Sequence, residues 1–346
     1  LFLKLKTLQE KLPVFTKDFF RGISDQTQLK TRIAYAFDLR IFFHFLITEH
    51  EIFKIRNTTN DFTLKDLDRI SAIDIEKFSE FLTNYSLPHY KNPQKIINYS
   101  NSAKGKMRKL STLRSLYAYF FKKELIKTNP TVLVDLPKLH EKPIIRLEPD
   151  EVVKLLDAIE TGDRLTKGQQ KYHNKTHLRD LAIISLLLGT GIRISECVGL
   201  NISDFDFENN SFKIIRKGGN QTILYMPDEV KKILLDYLKN NRRDILPAKE
   251  EDLDAMFISL QKKRMTASSI TKMLKKHTKY VTPLKNISPH KLRSTFGTNL
   301  YRETGDIYLV ADVLGHKDVN TTKKHYAAID EERRRIAAKV TKLRED

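Results

Sequence analysis

Four residues toward the end of the chain are of types that handle phosphate, and they come in the order His290, Arg293, His316, Tyr326. The first two stand in Pro289-His290-Lys291-Leu292-Arg293, where Leu292, Phe296 and Leu300 give a helical apolar period. On such a helix His290 and Arg293, three apart, share a face. His316 follows Leu314-Gly315 where the pattern marks a helix end, and Tyr326 closes the cationic run Lys323-Lys324-His325. A tyrosine hydroxyl among cations and imidazoles suits nucleophilic attack on a phosphodiester. The cations hold the phosphate as charge builds on it, and the imidazoles move protons. Taken singly, each residue has an ordinary use: a Tyr packs, and a His sits on the surface or caps a helix. The chemistry therefore needs further cations from elsewhere in the chain.

Two stand upstream. Residues 178–188 (LRDLAIISLLL) are apolar nearly all round, which predicts a central buried helix. Gly189-Thr190-Gly191 breaks it, and Ile192-Arg193-Ile194-Ser195-Glu196 opens the next. An arginine between two isoleucines is costly to bury without an anion, and the plain alternative is a salt bridge to Glu196 or another acid. Residues 211–216 and 222–226 read as strands joined by the tight turn Lys217-Gly218-Gly219-Asn220. That puts Lys217 at a hairpin tip, free to reach into a substrate; otherwise a turn lysine is a solvated charge.

The elements that must position these residues are set by composition and punctuation. The 346 residues suffice for two domains with a well-buried core. Sixty-two Lys and Arg against 43 Asp and Glu leave a net charge of +19, which calls for a polyanionic partner, nucleic acid ahead of an anionic membrane. No apolar run approaches a membrane span and none looks like a signal peptide, which argues against the membrane. The single cysteine, Cys197, excludes an intramolecular disulfide and a CxxC metal site, and points to a reducing compartment, the cytoplasm. The chain begins at Leu1 and not at Met, which leaves room for residues upstream.

Residues 1–138 read as a helical unit. Residues 27–50 carry Ile33, Phe37, Ile41, Phe42, Phe45 and Leu46 at helical spacing, and a shorter pattern follows Asp74. Residues 56–68 and 88–103 are polar and read as loops. A helix over 108–123 gathers Leu110, Leu113, Leu116, Tyr117, Phe120 and Phe121 on one side. Between 104 and 127 stand eight Lys or Arg against one acid, Glu124. Lys104, Lys106, Arg108, Lys109 and Arg114 are the candidates for contact with DNA, the plain alternative being a solvated basic face. Prolines among charged residues at 136–143 mark an interdomain linker, and Leu147-Glu148-Pro149-Asp150-Glu151 starts a new helix with Pro and acids in its first turn. Residues 161–177, rich in Lys, Gln, Asn and His, read as a loop or mobile insertion.

With Arg193, Lys217, His290, Arg293, His316 and Tyr326 assembled, the chain resembles the tyrosine recombinases, the integrase family. The matching pieces are Gly191-Ile192-Arg193-Ile194-Ser195-Glu196, the hairpin at 216–220, Pro289-His290-Lys291-Leu292-Arg293, Leu314-Gly315-His316 and Tyr326. Together they span roughly half the chain and fill all six catalytic positions of the family's pattern in order. The run at 178–188, the loop ahead of it and the hairpin are most similar to Xer-type single recombinases of Gram-positive bacteria. One departure stands out: the common Gly-Lys-Gly of the hairpin has Arg216 ahead of Lys217.

The resemblance implies a mainly α fold with a small β-sheet, built as a two-domain C-shaped clamp on DNA. It implies a helical core-binding domain over 1–138, a linker over 139–147, a catalytic domain over 148–326 and a C-terminal helix over 327–346 for docking between protomers. Ile329, Ile336, Val340 and Leu343 supply that helix with an apolar stripe, which packs on a neighbour or, alternatively, on its own domain. A further arm-type DNA-binding domain is expected to be absent. In the implied chemistry Tyr326 attacks a DNA phosphate, giving a 3′-phosphotyrosyl link and a free 5′-hydroxyl. His290 is the base, Arg193 and Arg293 hold the non-bridging oxygens, Lys217 protonates the leaving oxygen and His316 donates a hydrogen bond to the phosphate. No cofactor is expected, since protein cations neutralise the phosphate. The partners expected are double-stranded DNA with inverted-repeat half-sites and three further copies of the chain, a homotetramer on two duplexes, with no membrane. The function expected is site-specific recombination, as in chromosome dimer resolution. Its alternatives are an integrase or excisionase of a phage or conjugative element, a type IB-like topoisomerase, and a non-enzymatic DNA-binding regulator on a decayed recombinase scaffold.

Overall fold

Aromatic residues at helical spacing build the first of two units, Leu1–Glu141 and Lys142–Asp346, into which the chain divides. The structure, a computed structural model, describes residues 1–56, 58–89, 92, 94–138, 145–216, 218–316, 318 and 319. The first unit runs α1 (Phe2–Gln9), α2 (Thr16–Gly22), α3 (Leu29–Thr48), α4 (Leu64–Leu67), α5 (Ala72–Phe81), a hairpin of β1 (Asn84–Pro88) and β2 (Ile96–Ser100), and α6 (Ala103–Lys122). Phe42, Phe43 and Leu46 of α3 and Leu113, Tyr117 and Phe120 of α6 are fully buried in one core. Its rings meet edge to face, Phe42 on Phe78 at 5.1 Å and Phe15 on Phe120 at 5.5 Å between centroids.

Two stretches expected as loops here hold regular elements among their described residues. The described residues of 56–68 hold a 3-10 turn, Thr59–Asp61, and α4, each opened by a capping box, Thr58 with Asp61 and Thr63 with Asp66. Residues 88–103 hold β2, which pairs antiparallel with β1 so that Tyr85 faces Tyr99 and Leu87 faces Ile97. The alternation is one-sided: Tyr85 and Leu87 enter the core while Ile96 and Tyr99 stay exposed, so β2 carries no buried period of its own.

The second unit runs α7 (Pro149–Thr161), α8 (Lys167–Thr190), α9 (Ile194–Cys197), the strands β3 (Phe205–Asp206), β4 (Ser211–Ile215) and β5 (Gln221–Tyr225), then α10 (Asp228–Asn240), α11 (Ala267–Val281), α12 (Pro289–Thr304) and α13 (Ile307–Leu314). The strands form one antiparallel sheet in the order β3-β4-β5, with Ile215 opposite Gln221 at the hairpin end. Among the described residues the fold is mainly helical with two small antiparallel sheets, one more than expected. Of the linker expected at 139–147, residues 139–144 lie outside the described residues. Leu147 is already buried in the second core, its N–H donating to Thr295 Oγ1 at 3.0 Å.

The apolar run is the buried centre of α8, with every residue from 179 to 187 inside. The stretch at 161–177 corrects the expectation of a loop: from Lys167 it is the first half of the same helix, opened by a capping box of Thr166 and Gln169. Its buried stripe is polar and therefore carries no apolar period. His173 Nε2 meets the Glu160 carbonyl at 3.0 Å, and Thr176 donates to the Tyr172 carbonyl at 3.2 Å. A turn further on, Asp180 is buried against Arg179 at 2.6 Å and lies 3.7 Å from His277 Nε2 of α11. Burial pushes the Asp180 carboxyl up, but His277, Arg179 and Lys276 outweigh it and hold it below the usual carboxylate range. Burial in turn holds His277 below its ordinary value. Gly189 and Thr190 stay helical, and the break comes at Gly191, at a φ of 63°. No helix of the described residues is long and apolar enough to cross a membrane.

Candidate active site

The turn after α8 delivers Arg193 to the N-cap of α9. Its backbone N–H donates to Glu196 Oε2 at 2.7 Å and its Nη1 to Glu196 Oε1 at 2.9 Å, so the salt bridge weighed as an alternative is present. The same guanidinium does more: Nη2 donates to the Gly315 carbonyl at 3.0 Å, 122 residues away. Helix α12 starts with Pro289 and places His290, exposed, in its first turn and Arg293, buried, in its second. Arg293 Nη1 donates to the Gly191 carbonyl at 2.6 Å and Nη2 to the Leu314 carbonyl. Gly191 cannot be larger, because a Cβ there would strike the Phe296 ring of α12.

His316 follows the end of α13. Gly315 takes a φ of 60°, its N–H donates to the Asp312 carbonyl at 2.8 Å and the His316 N–H to Ala311 at 2.9 Å, a closed left-handed cap. Arg216, just past β4, donates through Nη2 to the Val313 carbonyl at 3.0 Å and through Nη1 to Asp312 at 3.4 Å. The four carbonyls from Asp312 to Gly315 thus receive donors from three arginines, contributed by the hairpin, α12 and the N-cap of α9. Carbonyls at a helix end carry partial negative charge and lack intrahelical donors, which is why guanidinium groups collect there. The arrangement concentrates positive charge beside one buried carboxylate, Glu196, and directly ahead of His316. A fixed fork of N–H donors of this kind is what a phosphate with developing charge needs.

Of the six residues singled out in the sequence, Arg193 and Arg293 meet at the Leu314–Gly315 turn that leads into His316. His290 lies one turn ahead of Arg293 on the same helix. Lys217 and Tyr326 lie outside the described residues, as does the helix expected at 327–346. Sequence reasoning missed Arg216 as part of this cluster. The signal was there, an arginine where the resembled hairpin carries glycine. Cys197, four residues past Arg193, is fully enclosed, and burial pushes its thiol up to about 12, so it packs and does not react.

The basic candidates on α6 divide by what holds them. Lys104 is exposed. Lys106 Nζ donates to Thr83 Oγ1 at 2.6 Å at the surface, and Arg108, half exposed, pairs with the buried Asp38. Burial raises the Asp38 carboxyl and Arg108 opposes that rise. Lys109 is buried and donates to Asn101 Oδ1 at 2.6 Å, while Arg114 donates to the carbonyls of Thr131 at 3.1 Å and Val134 at 2.7 Å. Lys109 and Arg114 therefore tie the unit together from within. An expected result separates the two groups. Lys104→Ala should weaken DNA binding at all sequences and reduce the slope of log K against log salt by roughly one, the signature of one lost phosphate contact. Arg114→Ala should leave that slope unchanged and destabilise the first unit by about 1–3 kcal/mol through two unmet carbonyls. Binding titrations at several salt concentrations, with denaturant melts, read both.

Residues 145–333 match the phage integrase family. The tyrosine recombinase XerC of Caldanaerobacter subterraneus subsp. tengcongensis is 31% identical over 318 residues, 90% of this chain and 82% of that protein. The tyrosine recombinase XerD of Staphylococcus epidermidis is 29% identical over 259 residues, 72% of this chain and 83% of its own length. Among solved structures, the Tn1549 transposon integrase in complex with transposon right end DNA superposes with a TM-score of 0.65 at 20% identity, over 92% of this chain and 98% of that one. That likeness is one of fold.

Proposed function

Given that this chain belongs to the phage integrase family, whose tyrosine recombinases cleave and rejoin DNA, we propose that Tyr326 is its nucleophile and that Arg193, Lys217, His290, Arg293 and His316 complete its site. What supports this most is the meeting of Arg193 and Arg293 at the Leu314–Gly315 turn, directly ahead of His316, from positions about a hundred residues apart. Two guanidiniums held side by side bind the two non-bridging oxygens of one phosphate. The Tyr326 oxygen attacks phosphorus, the bond to the 5′-oxygen breaks, and a 3′-phosphotyrosyl bond takes its place. A phenol with an ordinary pKa of about 10 needs both a base and a positive field, supplied by His290 and the arginines. Lys217 protonates the departing 5′-oxygen, and His316 donates to a phosphate oxygen. Rejoining runs the same steps backward with a 5′-hydroxyl from the partner duplex. The phosphodiester energy stays in the tyrosyl link, so no nucleotide triphosphate is consumed.

The substrate in this reading is double-stranded DNA with inverted-repeat half-sites, gripped by a core-binding domain over 1–138 and a catalytic domain over 148–326, in the cytoplasm. Four copies act on two duplexes, joined by the helix over 327–346. The biological task is exchange between two like sites, as in chromosome dimer resolution. A head-to-tail contact that closes into a ring is the assembly strand exchange requires. Two measurements test this. The full chain should exchange strands between two short duplexes bearing its site, and should not relax a supercoiled plasmid lacking one; relaxation without exchange would make it a topoisomerase. The chain truncated after Ala328 should bind a half-site as the full chain does but lose cooperative binding to a full site and synapsis in native gels. Unchanged cooperativity would remove the tail from the assembly.

A further inference from the structure

We infer that Arg216 is a positioning residue for the phosphate clamp: by gripping the last turn of α13 from the end of β4, it sets where Arg193 and Arg293 meet ahead of His316. The inference rests on the reading of those two arginines as the groups that hold the phosphate. Arg216 stands just past β4, its N–H donating to the Asn220 carbonyl at 2.8 Å. Its side chain crosses to α13, where Nη2 donates to the Val313 carbonyl at 3.0 Å and Nη1 to the Asp312 carbonyl at 3.4 Å.

Helix α13 has little apolar packing to fix it. It is eight residues long, and its Val310 and Leu314 join Tyr301 of α12 in a small core, with Phe296 and Leu300 of α12 packed against it. Among the described residues, the main core of the unit runs from Leu147 to Leu292 and does not include α13. A short helix with so few buried apolar contacts sits at the low-stability end of a fold. Arg293 belongs to α12 as well, so its bond to the Leu314 carbonyl ties α13 to the same neighbour. Arg193 and Arg216 reach the turn from other elements, the N-cap of α9 and the end of β4. Of these two, Arg193 must also face the phosphate, whereas both Nη groups of Arg216 donate to carbonyls of the turn. The acceptors follow one another along the chain, Asp312 and Val313 for Arg216, Leu314 for Arg293 and Gly315 for Arg193. A shift of the turn therefore moves all of them together, and displacement by about 1 Å at a reacting centre can cost roughly 10²-fold. Gly315 is fitted to the crossing: a Cβ there would land on the Arg216 guanidinium, so a larger residue would displace one or the other.

The test is single-turnover cleavage by the full chain of three suicide substrates. One has an ordinary scissile phosphodiester, one a methylphosphonate in its place, and one a 5′-bridging sulfur, which leaves without a proton. The methylphosphonate carries no charge and so depends less on well-placed cations, whereas a mere loss of folded protein slows all three alike. Relative to the parent on the same substrate, Arg216→Ala should be slower by roughly 10- to 10²-fold on the phosphodiester. It should come within a few-fold on the methylphosphonate and stay slow on the 5′-sulfur substrate. Arg216→Lys, which keeps one donor, should regain part of the loss. Arg293→Gln, the reference for the clamp, should also lose less on the methylphosphonate. Joined to Arg216→Ala it should cost less than the product of the two single effects, since one residue acts through the other. A full rate of Arg216→Ala on the phosphodiester overturns the inference, as does an equal loss on all three substrates, recovery on sulfur, or the full product in the double variant. If Arg293→Gln itself gains nothing from the methylphosphonate, the reading of the clamp falls, and the positioning role falls with it.

Discussion

Replacing Tyr326 by Phe is expected to abolish covalent adduct formation while leaving DNA affinity nearly unchanged. The change removes one hydroxyl, and with it the only atom in the proposed site able to form the phosphotyrosyl bond. In the proposed site the attraction for phosphate comes from the arginines, which are untouched, so binding should survive. On a nicked suicide substrate the Phe variant should give no denaturant-resistant protein–DNA band at any time, against a band that accumulates for the parent. A surviving band at normal yield would mean that another residue is the nucleophile. Because Tyr326 lies outside the described residues, this experiment carries the assignment directly.

The second large effect is expected at Arg293. Its guanidinium is buried and bridges the Gly191 and Leu314 carbonyls, so it holds the turn before His316, and in the proposed site it also presents charge to the phosphate. Arg293→Gln should lower single-turnover cleavage by roughly 10²–10³-fold or more, the cost of losing one preorganised donor to a developing oxyanion. Lysine should restore little, because a single ammonium cannot span two carbonyls and a phosphate as a planar fork does. Neither variant should recover on the 5′-sulfur substrate, since their defect lies in charge stabilisation and not in proton delivery. Stability should fall too, by about 1–3 kcal/mol for the carbonyls left unmet. A melt of each variant in the absence of DNA separates that loss from the catalytic one. Recovery on sulfur, or cleavage within a few-fold of the parent, would move Arg293 out of the phosphate site.

What could be read in advance was whatever hydrophobic period or residue type announced. The run at 178–188 is inside on nearly every side, as an all-apolar stretch must be. The strands at 211–215 and 221–225 were legible from their turn. By contrast the first half of α8 reads as a loop because its buried stripe is His173, Thr176 and Asp180, polar residues satisfied by partners that a sequence does not display. The β1–β2 hairpin was missed because one of its strands buries almost nothing. In the site, Arg193 and Arg293 declared themselves by type and setting. That they share one turn with Arg216 did not, because backbone carbonyls have no letter in the sequence and any residue from 312 to 315 supplies the same acceptor.

That shared turn also decides when activity can appear as the chain is made. Arg193 and Arg216 are translated about a hundred residues before the carbonyls they are to hold, at separations of 122 and 97. Contacts of such separation form late, since the intervening chain must be ordered before they are rewarded. Until residues 312–315 exist, Arg193 and Arg216 lack the carbonyls that collect their guanidiniums, and Arg293 has only the Gly191 carbonyl. In the proposed reading, a nascent or truncated protein can therefore own a complete first unit and all three arginines of the turn, and still have no way to cut the DNA it binds. On that reading, competence to cleave DNA is withheld until residues 312–315 are in place.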